Sequence, residues 1–138
     1  MAYRVQKVNY CKMTIPSRAG QGAQILKAIG DAGINMQAFT GFPAGGGKSQ
    51  VDIVTSHISA VRRLAKKEGW RLSVTRKAFL VQGSDEVGAV EKVIKRLADA
   101  RINIVAVDAV AAGGGRYGMI LWVNPKDYSR ATRALNAK

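Results

Sequence analysis

The stretch Lys27-Ala28-Ile29-Gly30-Asp31-Ala32-Gly33-Ile34-Asn35, followed by Ala44-Gly45-Gly46-Gly47-Lys48, returns later as Lys95-Arg96-Leu97-Ala98-Asp99-Ala100-Arg101-Ile102-Asn103, followed by Ala112-Gly113-Gly114-Gly115-Arg116. The same offset of 68 places Gly20 on Gly88 and Ala38 on Ala106 without a gap. Pairs that differ keep their character: Ile25 with Val93, Leu26 with Ile94, Ile29 with Leu97, Met36 with Ile104, Ile53 with Leu121. A gapless match of this length marks an internal duplication. The sequence therefore divides into repeats over residues 1–69 and 70–138.

Each repeat reads outward from that stretch as the same run of elements. Val90, Val93, Ile94 and Leu97 recur at the spacing of one helix face. Asp85, and Ser17 in the first copy, stand where an N-cap would sit. Gly33 suits a left-handed helix end, while its counterpart is Arg101. The β-branched run from Asn103 to Val110 and the apolar run from Gly118 to Val123 read as strands around a Gly-rich hairpin. Asn124-Pro125, and Ser56 in the first copy, precede a second helix with Ile58, Val61 and Leu64, or Tyr128, Ala131 and Leu135, facing inward. Trp70 to Gly83 is one long extended stretch, and Ala2 to Pro16 aligns with it. The expected fold is α+β: two ferredoxin-like βαββαβ repeats, each an antiparallel sheet with helices on one face. The second copy ends on a helix, so the N-terminal strand would supply its last strand, within the chain or by exchange with a partner.

The segments from Ser17-Arg18-Ala19-Gly20 to Gly33-Ile34-Asn35-Met36, and from Asp85-Glu86-Val87-Gly88 to Arg101-Ile102-Asn103-Ile104, resemble the ACT domain. That family's signature is an acidic residue, a Pro-Gly pair opening a helix, and a Gly-Ile-Asn-type lead into the second strand. Here Ala19 and Val87 replace the proline, Ser17 replaces the acid in the first copy, and Arg101 replaces the glycine in the second. The resemblance covers nearly the whole chain, twice. It implies a stand-alone tandem ACT-like module that is regulatory and not catalytic, sensing an amino acid or related acidic metabolite. It also implies a ligand held where two modules face each other. The helix-opening loop of one, Ala19-Gly20-Gln21 or Val87-Gly88-Ala89, would meet Asn35 or Asn103 of the other. The chemistry suits such a ligand. Glycine lets backbone N–H groups approach an anion at a helix N-terminus, and an asparagine offers both donor and acceptor.

Other features narrow the function. Lys and Arg total 22 against 9 Asp and Glu, a net charge of +13. Such a field attracts acidic metabolites and polyanions alike. The alternative reading is therefore a nucleic-acid-binding protein using basic helix faces, such as Arg62, Arg63, Lys66 and Lys67. Its aromatics, however, do not form the interleaved pattern that RNA-binding sheets use. Gly45-Gly46-Gly47-Lys48-Ser49 lacks the first glycine of a phosphate loop, since Phe42 stands there. The single histidine, His57, reads as a surface or capping residue, and Cys11, the single cysteine, as an inert strand thiol. No carboxylate pair, metal-ligand spacing or nucleophile–base set appears, so no catalytic residue, metal or cofactor is expected. No apolar run reaches a membrane span, and a cytoplasmic homodimer is expected.

Overall fold

The computed structural model describes residues 3–138. Met1 and Ala2, at the head of the expected N-terminal strand, lie outside the described residues. The elements are β1 (Tyr3–Pro16), α1 (Gln21–Asp31), β2 (Ala38–Gly45), β3 (Lys48–Val54), α2 (Ile58–Glu68), β4 (Arg76–Ser84), α3 (Ala89–Asp99), β5 (Ile104–Gly113), β6 (Arg116–Val123) and α4 (Tyr128–Leu135). A short 3₁₀ turn, Pro125–Asp127, leads into α4. The fold is α+β, with antiparallel strand pairs and four α-helices among the described residues. It forms two compact units, Asn9–Arg76 and the residues up to Val8 with Lys77–Lys138. The start of the N-terminal strand thus joins the second half.

In the unit Asn9–Arg76, β3 lies between β1 and β2, with Met13 opposite Val51 and Gly41 opposite Val51 on the other side. Alternate residues of β1 and β3 turn Met13, Ile15, Val51 and Ile53 onto the helices. There they meet Ile25 and Ile29 of α1 and Val61 and Leu64 of α2. After α2 the chain returns beside β1. Ser73 N–H donates to the Lys12 carbonyl at 2.9 Å, and Lys12 N–H donates to Ser73 Oγ at 3.0 Å. Arg62 fastens the same segment, donating to the Ser73 carbonyl at 3.1 Å and to Thr75 Oγ1 at 2.7 Å.

In the other unit the strands run β1, β4, β6, β5. Val5, Phe79, Val81, Met119 and Leu121 pack on Val93 and Leu97 of α3 and Ala131 and Leu135 of α4. Tyr128 stacks on Phe79 with ring centres 4.5 Å apart, and its hydroxyl donates to the Ala78 carbonyl at 3.0 Å. Burial pushes the Tyr128 phenol up to about 12. Lys138 N–H donates to the Val5 carbonyl at 3.0 Å, so the end of the described chain is tied to β1.

The helix starts differ from the sequence expectation. Ser17, Asp85 and Ser56 are not N-caps. Ser17 N–H is bound to the Gly47 carbonyl at 2.8 Å and Asp85 N–H to that of Gly115 at 2.9 Å. Each of these residues is thereby held at its glycine hairpin, and the chain needs a further turn before a helix can begin. Gly20 (φ 90°) and Gly88 (φ 82°) make that turn in the left-handed region, and the helices start one residue later. Before α2, His57 takes the cap position, and its N–H donates to Thr55 Oγ1 at 3.1 Å. Asn124 does cap, its side chain accepting from Lys126 N–H at 3.1 Å. At the far end of α3, Arg101 adopts the left-handed conformation of Gly33, with φ of 58° against 72°.

One buried carboxylate stands out in β3. Asp52, 4% exposed, is opposite Lys12 and Thr40 on the neighbouring strands. Burial pushes its carboxyl above the ordinary range, against the Gln50 amide (3.0 Å) and the Lys12 and Arg76 cations.

Two measurements follow from these environments. Val5→Ala should lower the unfolding free energy by about 2 kcal/mol in denaturant melts, because it empties part of a core built mostly from the other end of the chain. Val105→Ala, on an exposed position, should change it by less than about 0.5 kcal/mol. Equal effects would mean that the N-terminal strand does not complete that core. For Asp52 the folded carboxyl holds its proton more tightly than the unfolded one. Its stabilising contribution is therefore present in acid and lost as pH rises through the folded value. Asp52→Asn should accordingly stabilise the protein at neutral pH, and the advantage should shrink as the pH falls toward the carboxylate range. A loss of stability at neutral pH would show that the ionised form is needed.

Candidate functional site

The loops Ala19-Gly20-Gln21 and Val87-Gly88-Ala89 open α1 and α3. Ala19, Gly20, Val87 and Gly88 are exposed, Gln21 is half-buried, and Ala89 turns into the core. Neither helix has a side-chain cap. The first intrahelical bonds are Gln24 N–H to the Gly20 carbonyl (3.0 Å) and Lys92 N–H to that of Gly88 (3.2 Å). Before them, Gln21 N–H is already taken by the Arg18 carbonyl (3.2 Å) and Ala89 N–H by that of Glu86 (3.0 Å), so the positive end of the helix dipole is carried by the next N–H groups, those of Gly22 and Ala23 and of Val90 and Glu91.

The two loops differ in charge. That of α1 has Arg18 beside it and no acid in its first turn. That of α3 carries Asp85 and Glu86, with Glu91 in the first turn, and Lys92 reaches Glu86 at 4.0 Å. An anion is favoured at the first loop and opposed at the second.

Asn35 and Asn103 are exposed, each following the far end of a helix. An 11-residue helix is about 16 Å long. Within one unit, then, the structure does not bring Ala19-Gly20-Gln21 to Asn35, nor Val87-Gly88-Ala89 to Asn103. The backbone at Asn35 is pinned, its carbonyl accepting the hydroxyl of the fully buried Thr55 at 2.7 Å. Val123 stands at the corresponding place in the second unit and has no hydroxyl to give.

An open cleft of about 420 Å³ lies beside the opening of α1. Arg18, Gly22, Phe42 and Ser49 line it, and the hydroxyls of Ser17 and Ser49 are hydrogen-bonded to each other at its edge. This size suits a small ligand. Phe42 is 48% exposed, an apolar surface lining the same cleft as Arg18 and Gly22. Sequence reasoning did not find Phe42 and Ser49, which come from the hairpin strands. Only the pairing of Pro43 with Ser49 reveals that they reach the loop.

The remaining reactive groups are not placed for chemistry. Cys11 is fully buried, and burial pushes its thiol up despite the nearby Arg62 guanidinium. Among the described residues, no three His, Cys, Asp or Glu side chains gather as a metal site would require. No helix among them is long and apolar enough to cross a membrane.

No protein-family model matches the chain, and no curated protein matches it in sequence. Solved structures do share its fold. A protein of Bacteroides thetaiotaomicron superposes with a TM-score of 0.79 at 13% identity, over 97% of this chain and 88% of that one. The regulatory subunit of aspartate kinase from Thermus flavus gives 0.61 at 16% identity, over 99% of this chain and 95% of that one. The ligand-free form of the same subunit from Thermus thermophilus gives 0.63 at 15% identity, with the same coverage. At these identities the likeness is one of fold, the α+β arrangement of antiparallel strands and helices described above.

Proposed function

We propose that this chain is a non-catalytic regulatory module that binds a small carboxylate-bearing metabolite, an amino acid or a related acid, and acts as a homodimer. The observation that carries the reading is the extent of the structural likeness. It spans 99% of this chain and 95% of a chain that is itself a regulatory subunit. The uncapped α1 loop supports it. Its glycine backbone, Arg18 and the uncapped helix start would suit a carboxylate. Phe42 offers apolar surface for a side chain. Ala19, Gly20 and Gln21 would hold the anionic group, with Asn35 or Asn103 of a facing module supplying hydrogen bonds to the rest. The acidic α3 loop, Val87-Gly88-Ala89 with Asp85 and Glu86, suits an ammonium better than a carboxylate. The two loops thus prefer ligand groups of opposite charge.

Thermal melting in the presence of each free amino acid and of simple dicarboxylic acids tests this reading. At least one should raise the midpoint in a concentration-dependent way. With that ligand, Asn103→Ala and Asn35→Ala should each weaken binding by about 1–3 kcal/mol in calorimetry wherever the asparagine meets it. Unchanged affinity in both would place the site elsewhere. A chain indifferent to the whole panel that bound RNA or DNA with a steep salt dependence would overturn the proposal in favour of the basic surface.

A further inference from the structure

We infer that Thr55 is a positioning residue, one that fixes Asn35, and not Asn103, as the asparagine that reads the ligand. The inference rests on the proposed function and names which of its two asparagines serves it. Thr55 directly follows β3 and is fully buried. Its N–H donates to the Asn9 carbonyl of β1 at 3.2 Å. Its hydroxyl donates to the Asn35 carbonyl at 2.7 Å and accepts from His57 N–H at 3.1 Å. One residue thus ties together β1, the segment before β2 and the start of α2. On either side of Asn35 the backbone is held as well. Ile34 N–H donates to the Ile29 carbonyl at 3.1 Å, and Gln37 N–H to the Val54 carbonyl at 2.8 Å. The Asn35 side chain, by contrast, is exposed and bonds to no other described residue. An amide offered from a fixed backbone gives up little freedom on binding, and such preorganisation is where affinity is gained.

The second copy solves the same place differently. There Val123 stands for Thr55 and Ile104 for Met36. Ile104 is already part of β5 and pairs with Val123, with a register shift before Ala106. In the first copy β2 begins only at Ala38, so the Thr55 hydroxyl makes the link that strand pairing makes in the second. Valine has no hydroxyl to donate, and no side chain holds the backbone at Asn103. The second unit therefore shows that this fold is completed with valine at the position. A buried hydroxyl is costly unless it is bonded, so its presence in the first unit calls for a return. What it adds there is the pinned corner at Asn35.

The full chain, Thr55→Val, Thr55→Ser, Asn35→Ala and the double variant Thr55→Val/Asn35→Ala are compared by calorimetry, well below their melting midpoints, against the free amino acids and succinate. For the compound that binds the wild type, Thr55→Val should raise Kd about tenfold, and Thr55→Ser, which keeps the hydroxyl, should stay within about threefold of the wild type. Once Asn35 is alanine, Thr55→Val should raise Kd no further, because the two residues act through one contact. A purely structural Thr55 would lower the melting midpoint and leave Kd where it was. Equal Kd in Thr55→Val and the wild type, or a full further loss in the double variant, overturns the role. Should Thr55→Val fail to fold, the side-chain amide NMR signals of the wild type decide. Those of Asn35, assigned through Asn35→Ala, should shift saturably with the same compound while those of Asn103 stay still, and any other pattern overturns the role. If no compound of the panel binds the wild type, the proposed function falls and this role with it. If one binds both the wild type and Thr55→Val equally, the role of Thr55 falls alone.

Discussion

The length of β1 is the constraint from which the rest follows. Fourteen residues of one extended strand supply Val5 to the core around Phe79 and Leu97, and Met13 and Ile15 to the core around Ile29 and Ile53. A strand of ordinary length, five or six residues, could serve only one. Because the side chains alternate, a slip of one residue would turn the apolar set of β1 away from both cores at once. The register is therefore set by two independent apolar faces. The bonds at its two flanks, Lys12 with Ser73 and Val5 with Lys138, hold each returning chain segment to the same strand.

The loop geometry follows from that frame. β1 ends at Pro16, whose neighbour Ser17 is at once captured by the Gly47 carbonyl, and Asp85 repeats the arrangement with Gly115 after β4. The chain then turns through a left-handed glycine and begins a helix with no side-chain cap. A cap would satisfy the first-turn N–H groups internally. Turn carbonyls of Arg18 and Glu86 satisfy only Gln21 and Ala89, and the charges around the remaining N–H groups decide what would suit them. Arg18 favours a carboxylate at one loop. Asp85, Glu86 and Glu91 favour a cation at the other. Two loops of like backbone geometry thus carry opposite charges.

Much of this was legible in the residues alone. The offset that places Gly20 on Gly88 also relates α1 to α3 and β3 to β6, because helix faces and buried strands are written in local apolar periodicity. Arg101 shows the duplication at work, keeping the left-handed backbone of Gly33 although the side chain disfavours it. Ser17, Asp85 and Ser56 misled, since each is a good cap by type. Long-range backbone bonds from glycine hairpins took the first two out of position, and no local propensity encodes such bonds. The cleft at α1 was hidden for the same reason. Phe42 and Ser49 lie more than 20 residues from Arg18, and only the strand pairing brings them to it.

The central claim is that the helix-opening loops receive a small carboxylate-bearing ligand. Amide nitrogen–proton NMR spectra of the full chain, titrated with the amino acid or acid that most raises the melting midpoint, test it most directly. The glycine amides Gly20, Gly22 and Gly88 are natural reporters, sitting in or next to the two loops. The account predicts saturable shifts in Gly20 and Gly22 together with Asn35 or Asn103, while amides along α2 stay still. Shifts confined to Arg62, Arg63, Lys66 and Lys67, with both loops silent, would contradict it.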